Sequence, residues 1–155
     1  MKTIFVLIIS LFLLVVASFT AFSQTGNNFK SEVFNINGVA IRGYDAVAFF
    51  TENKPVLGSK SFSYTWKGVS WQFASESNLN LFKASPEKYL PQYGGYCAYG
   101  TADGHKAKTE VDTWTIVDDK LYFNYNQNVK KLWLKNQKAL IDSADRKWNW
   151  VKTME

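Results

Sequence analysis

Between Phe62 and Phe73 the chain commits itself to a sheet. Phe62, Tyr64 and Trp66 alternate with Ser63 and Thr65; after Lys67-Gly68, Val69, Trp71 and Phe73 alternate with Ser70 and Gln72. A period of two sends successive side chains to opposite faces of a strand. Both arms therefore present an aromatic face, which needs a second layer to cover it, and a polar one. The rings read as packing rather than as a ligand platform.

The flanking segments supply that layer. Val33 to Ile36 and Val39 to Ile41 are separated by Asn37-Gly38, a pair that takes the left-handed angles of a two-residue hairpin turn. Trp114 to Val117 and Leu121 to Tyr125, joined by Asp118-Asp119-Lys120, give a third hairpin, whose adjacent carboxylates are solvated turn formers. Val47 to Phe50 is a further apolar run. Ser75 can cap a helix that carries Leu79 and Phe82 on one face, with Glu76 at the positive end of its dipole. Ser85-Pro86 opens a second short helix and Pro91 closes it. Gly94-Gly95 bends the chain into Tyr96 to Tyr99, which reads as extended, and Thr101 to Asp112 reads as a polar loop. From Asn128 onward Val129, Leu132, Trp133, Leu140, Ile141, Ala144 and Trp148 follow helical spacing, with Lys130, Lys131, Lys135 and Lys138 mostly elsewhere. The fold expected is α+β: antiparallel β-hairpins packed against short helices and a C-terminal amphipathic helix on the sheet.

Lys2, the apolar run from Ile4 to Phe19 and the small residues Ala21 and Ser23 form the pattern of an export signal cleaved before Gln24. Residues 1–23 are read as that signal and residues 24–155 as a single domain, periplasmic or secreted, with no stable membrane insertion after cleavage. The 132 residues from Gln24 to Glu155 are enough for one core, and their many aromatics bury large areas. A core of this kind folds without disulfides, as it must, because Cys97 is the only cysteine. Residues 126–155 hold seven basic and three acidic groups, which is the whole basic excess of the exported chain. Export argues against a nucleic-acid partner, and the lysines read as a solvated helix face.

Gly43-Tyr44-Asp45-Ala46-Val47-Ala48-Phe49-Phe50, then Trp71 to Ser75, then Phe82 to Leu90, resemble the YHS-domain family in order and spacing. The resemblance covers the core motif at residues 43–93. Gln92 to Ala98 and Trp114 to Tyr125 are similar to a secreted single-domain subfamily, which makes residues 94–155 a subfamily extension. The family pattern begins with an Asp-Pro-Val-Cys-like strand, and the family is described as a candidate metal-binding module without an established enzymatic activity. The resemblance places Ala48, Ala74 and Asn78 where its cysteines would stand. A methyl group cannot ligate, and a neutral amide is a poor ligand for copper or zinc.

Cys97 and His105, the only imidazole, stand eight residues apart across a glycine-containing loop. Such a pair could bind copper or zinc, or make a reactive thiol, although two ligands are too few for a closed zinc site. Against this, a lone Cys beside Gly95 is commonly a small buried residue, and His105 sits in a polar loop. Tyr44 and Asp45 in the family motif, and Tyr93 and Tyr96 around the double glycine, are placed to line a pocket. No Ser/His/Asp set or phosphate-binding glycine loop is present. The expected role is a non-enzymatic binding module for a small ligand or an envelope partner, with no cofactor. The alternative is a copper- or zinc-binding or thiol-redox protein using Cys97 with His105.

Overall fold

Three hairpins close on paired left-handed residues: Asn37 and Gly38 (φ 53° and 79°), Lys67 and Gly68 (50° and 76°), and Asp118 and Asp119 (49° and 57°). Such pairs give turns whose twist matches that of the strands they join. The computed structural model describes residues 30–154, and the export signal expected at residues 1–23 lies outside them. The turns join β1 (Asn35–Ile36) to β2 (Val39–Ala40), β3 (Ser59–Trp66) to β4 (Val69–Phe73), and β5 (Thr115–Val117) to β6 (Lys120–Tyr122). All three pairs are antiparallel. One addition to the expected plan is a parallel contact of β2 with β4, Val39 beside Ser70, which makes a four-stranded sheet in the order β1-β2-β4-β3.

The aromatic face of the second hairpin is covered as its period required. The helix α2 (Glu76–Ala84) begins where the Ser75 hydroxyl accepts the Asn78 N–H, and buries Phe82 against Trp71 and Phe73, with ring centroids at 5.2 and 5.0 Å. α3 (Pro86–Tyr89) follows, opened by Pro86. The apolar run Val47 to Phe50, between β2 and β3, is helical. Residues Ala48–Thr51 form α1, a single turn that buries Phe49 against Trp114 and Phe123.

The second half departs further from expectation. The chain is extended only through Cys97; Ala98–Asp103 is a helix, α4. Cys97 caps it, the left-handed Gly104 ends it, and Ala98, Gly100, Thr101 and Ala102 are buried along it. The amphipathic C-terminal segment is two helices, α5 (Gln127–Lys135) and α6 (Gln137–Val151). Asn136, at φ −133° and ψ 36°, interrupts the helical path between them. They do not lie on the four-stranded sheet. They enclose a second core of Tyr93, Ala98, Ala102, Tyr122, Trp133 and Ala144, because the small residues of α4 admit α6 at close range. Leu132, expected on the inner face of the helix, is exposed, and Trp133 takes the interior. Among the described residues no helix is long and apolar enough to cross a membrane.

Candidate functional site

Asp45 is completely buried, and all four lone-pair directions of its carboxylate are used. Oδ1 accepts the N–H groups of Val47 (2.8 Å) and Ala48 (3.2 Å), and Oδ2 accepts the Ala74 N–H (2.8 Å) and the Asn78 side-chain amide (2.7 Å). A carboxylate offers about four acceptor sites, so none is left for an ion or a substrate. The donors include Ala48, Ala74 and Asn78, the three residues that the family resemblance sets against its cysteines. These positions do converge in space, but around a carboxylate saturated by N–H groups. The donor set does not fit copper or zinc there.

Cys97 is 1 % exposed. Its Sγ accepts the Gly100 N–H at 3.4 Å and donates to Asn124 Oδ1 at 3.8 Å. Burial pushes the thiol pKa up, against smaller opposing effects of nearby backbone N–H groups, so at neutral pH the group is a protonated thiol rather than a nucleophile. His105 is exposed just beyond the end of α4 and turns back, its Nε2 3.2 Å from where a Cβ on Gly100 would stand. Gly100 therefore adjoins both the ring and the thiol. No hydrogen bond joins Cys97 to His105, and among the described residues no group of three or more His, Cys, Asp or Glu could hold a metal ion.

Tyr44 is half-buried against the first core and pairs with Leu57 as an isolated bridge. Tyr96 is interior: its hydroxyl donates to the Ser31 carbonyl at 2.8 Å, and its ring meets Phe34 and Trp148. Cys97 and His105 thus both adjoin Gly100 without a hydrogen bond between them, whereas Tyr44, Asp45 and Tyr96 stand in separate surroundings. Of the six, Tyr93 lines a described cleft.

That cleft, of about 380 Å³, lies between the segment carrying the family motif and α6. Its floor is the turn at Tyr93-Gly94. Tyr93 holds a left-handed backbone angle, φ 55°, uncommon for a bulky residue, and this aims its ring at Tyr122 and Trp148. The phenol has one proton and gives it to Asp145 Oδ1 at 2.8 Å, the Ile141 carbonyl at 3.4 Å being the weaker acceptor. Burial first, and that carboxylate second, push the phenol pKa far above its ordinary value. On the opposite wall Lys67 stands 3.0 Å from Glu32 and 4.0 Å from Glu87. Lys120, Trp148 and Asn149 complete the rim. Asp145 and Lys120 carried no sequence signal, and Trp148 read as a core position. They meet only because α6 returns across the Tyr93 turn.

Residues 47–93 match the family model of the YHS domain. No curated protein and no solved structure matches the chain. The match ends at Tyr93, so the cleft lies at the boundary between the matched segment and the remainder of the chain.

Proposed function

We propose that the YHS domain this chain carries at residues 47–93 works here as a non-enzymatic binding module in an exported protein, and that it takes a small polar ligand in the Tyr93 cleft. The carrying observation is the cleft itself. Its volume of about 380 Å³ falls in the range of small-molecule sites, roughly 300–1,000 Å³, and the other described depressions of that size, about 480 and 330 Å³, carry no aromatic ring. It combines aromatic walls with a few convergent polar groups.

The lining favours an amine. Glu32, Glu87 and Asp145 outnumber Lys67 and Lys120, and Lys67 is already held between Glu32 and Glu87. Asp145 Oδ2 is unengaged by the protein, beside the rings of Tyr93 and Trp148. A carboxylate next to aromatic rings is suited to an ammonium group. The metal or thiol reading draws no support from the saturated Asp45 carboxylate or the buried, protonated Cys97.

The test is a titration of the exported protein with a panel of free amino acids and small amines, followed by tryptophan fluorescence and by NMR shifts of the cleft residues. Saturable shifts at Tyr93 and Trp148 that Asp145→Asn weakens about tenfold or more are expected, since a charge-assisted hydrogen bond is worth about 1.5–3 kcal/mol. Shifts confined to other surfaces would end the reading. Intact-mass analysis checks export: a start at Gln24 is expected, and a retained Met1 in the membrane fraction would contradict it.

A further inference from the structure

The outward face of α5 has no role in the cleft or in either core. Leu132 and Leu134 are 49 % and 47 % exposed, whereas Trp133 between them is fully buried. Successive residues turn by about 100° around a helix. Leu134, Lys131, Lys135 and Leu132 therefore follow one another around roughly 160° of surface, centred opposite Trp133. The helix cannot roll to hide the leucines. Asn126 caps it through the Val129 N–H at 2.9 Å, Lys130 Nζ donates to the Trp114 carbonyl at 2.7 Å, and Trp133 anchors the inner side.

The helix's own charges on this face have one sign, and Asp112, which accepts from the Gln127 amide at 3.1 Å, stands at its N-terminal edge. Residues 126–141 contain four lysines and no acidic residue. Lys138 is paired with Asp142 at 3.1 Å, whereas Lys131 and Lys135 make no ion pair and stand between the two leucines. Lysine is depleted in the centres of protein–protein interfaces, so this arrangement is poorly matched to a protein partner. It is well matched to a lipid surface. Leucines can enter the headgroup boundary while lysine stems lie along apolar surface and keep their ammonium groups at anionic headgroups. We propose that the α5 face docks the protein peripherally and reversibly on an anionic lipid surface, with Leu132 and Leu134 inserted and Lys131 and Lys135 at the headgroups. This assignment is independent of the cleft.

The test is co-sedimentation of the exported protein with vesicles of phosphatidylglycerol and phosphatidylcholine, or of phosphatidylcholine alone, at low and high salt. Binding to the anionic vesicles is expected to exceed binding to the neutral ones at least tenfold and to weaken with salt. Leu132→Ser with Leu134→Ser, and separately Lys131→Glu with Lys135→Glu, should each lower binding about tenfold or more. These residues are exposed, so the circular dichroism and melting of both variants should match the parent. Three results would overturn the proposal: no binding to anionic vesicles at low salt, equal binding to both vesicles, or loss on charge reversal with no loss on leucine replacement, which would mean non-specific adsorption. A dimer in sedimentation velocity that the leucine replacements dissociate would overturn it too, by assigning the face to a second copy.

Discussion

At the scale of single residues, Asp45 and Cys97 hold the structure by different means. Asp45 accepts four N–H groups drawn from two separated segments, residues 47–48 and 74–78, so its replacement cannot be repaired locally. Asp45→Asn turns an NH2 group toward two donors whichever way the amide is set. It should cost about 2–4 kcal/mol in urea unfolding, because buried donors lose acceptors that no water replaces. A cost within experimental error would show the cluster to be incidental. Cys97 occupies the N-cap of α4, a position usually filled by Ser, Thr, Asp or Asn. Cys97→Ser keeps an acceptor for Gly100 N–H and a donor for Asn124 Oδ1, and should cost less than about 1 kcal/mol. Cys97→Val strands the Gly100 N–H and should cost about 1–3 kcal/mol. The native thiol should react slowly with a thiol reagent at pH 7 and fully once unfolded. Rapid native labelling that His105→Ala slows would restore a functional role to this pair.

At the scale of elements, the turn at Tyr93-Gly94 joins the YHS segment to the rest of the chain, and it is the most exacting position for a substitution. A Cβ on Gly94 would stand 2.0 Å from the Glu32 carbonyl oxygen, and its φ is +61°. The same peptide accepts the Phe34 N–H at 2.9 Å. Gly94→Ala should therefore push the 31–34 segment away and cost about 2–4 kcal/mol, in the upper range for point substitutions. Unchanged stability would mean that segment is held elsewhere. By contrast, Asn126→Ala removes only the cap of α5 and should cost about 1 kcal/mol. The elements legible in the sequence were those specified locally. The three hairpins are written in Asn37-Gly38, Lys67-Gly68 and Asp118-Asp119, and α2 and α3 in Ser75 and Ser85-Pro86. Illegible were the elements settled by tertiary contact. Cys97-Ala98-Tyr99 is β-prone by composition, yet α6 packs on a helix there. Leu132 and Trp133 both fit an apolar spacing, and only the larger ring fills the space beside Tyr122. The candidate cleft was legible only in Tyr93, since its other wall stands about fifty residues later in the chain.

For the whole molecule, the aromatic second core makes alkaline pH the condition that should unfold the protein. Burial raises the pKa of Cys97, raises those of Tyr93 and Tyr96 well beyond the ordinary phenol value, and raises that of Tyr122 to about 12. Free thiols titrate near 8.5 and free phenols near 10. Above about pH 9, then, the unfolded chain has released protons that the native chain still holds. Stability falls with rising pH wherever the native state binds more protons. The contribution of these four groups is intact at neutral pH and is lost as pH climbs toward their native pKa values. Lys106 and Lys130 act in the opposite direction, since burial lowers both. They release protons first in the native state, which adds stability as pH rises toward the free lysine value near 10.4. Four groups against two leave a net loss. The urea midpoint should therefore decline beyond pH 9. In a titration followed by phenolate absorbance, three of the eight tyrosines should ionise only as the circular dichroism of the fold disappears. If all eight ionise together near pH 10 while the fold persists, Tyr93 and Tyr122 are not enclosed in the second core, nor Tyr96 between Phe34 and Trp148.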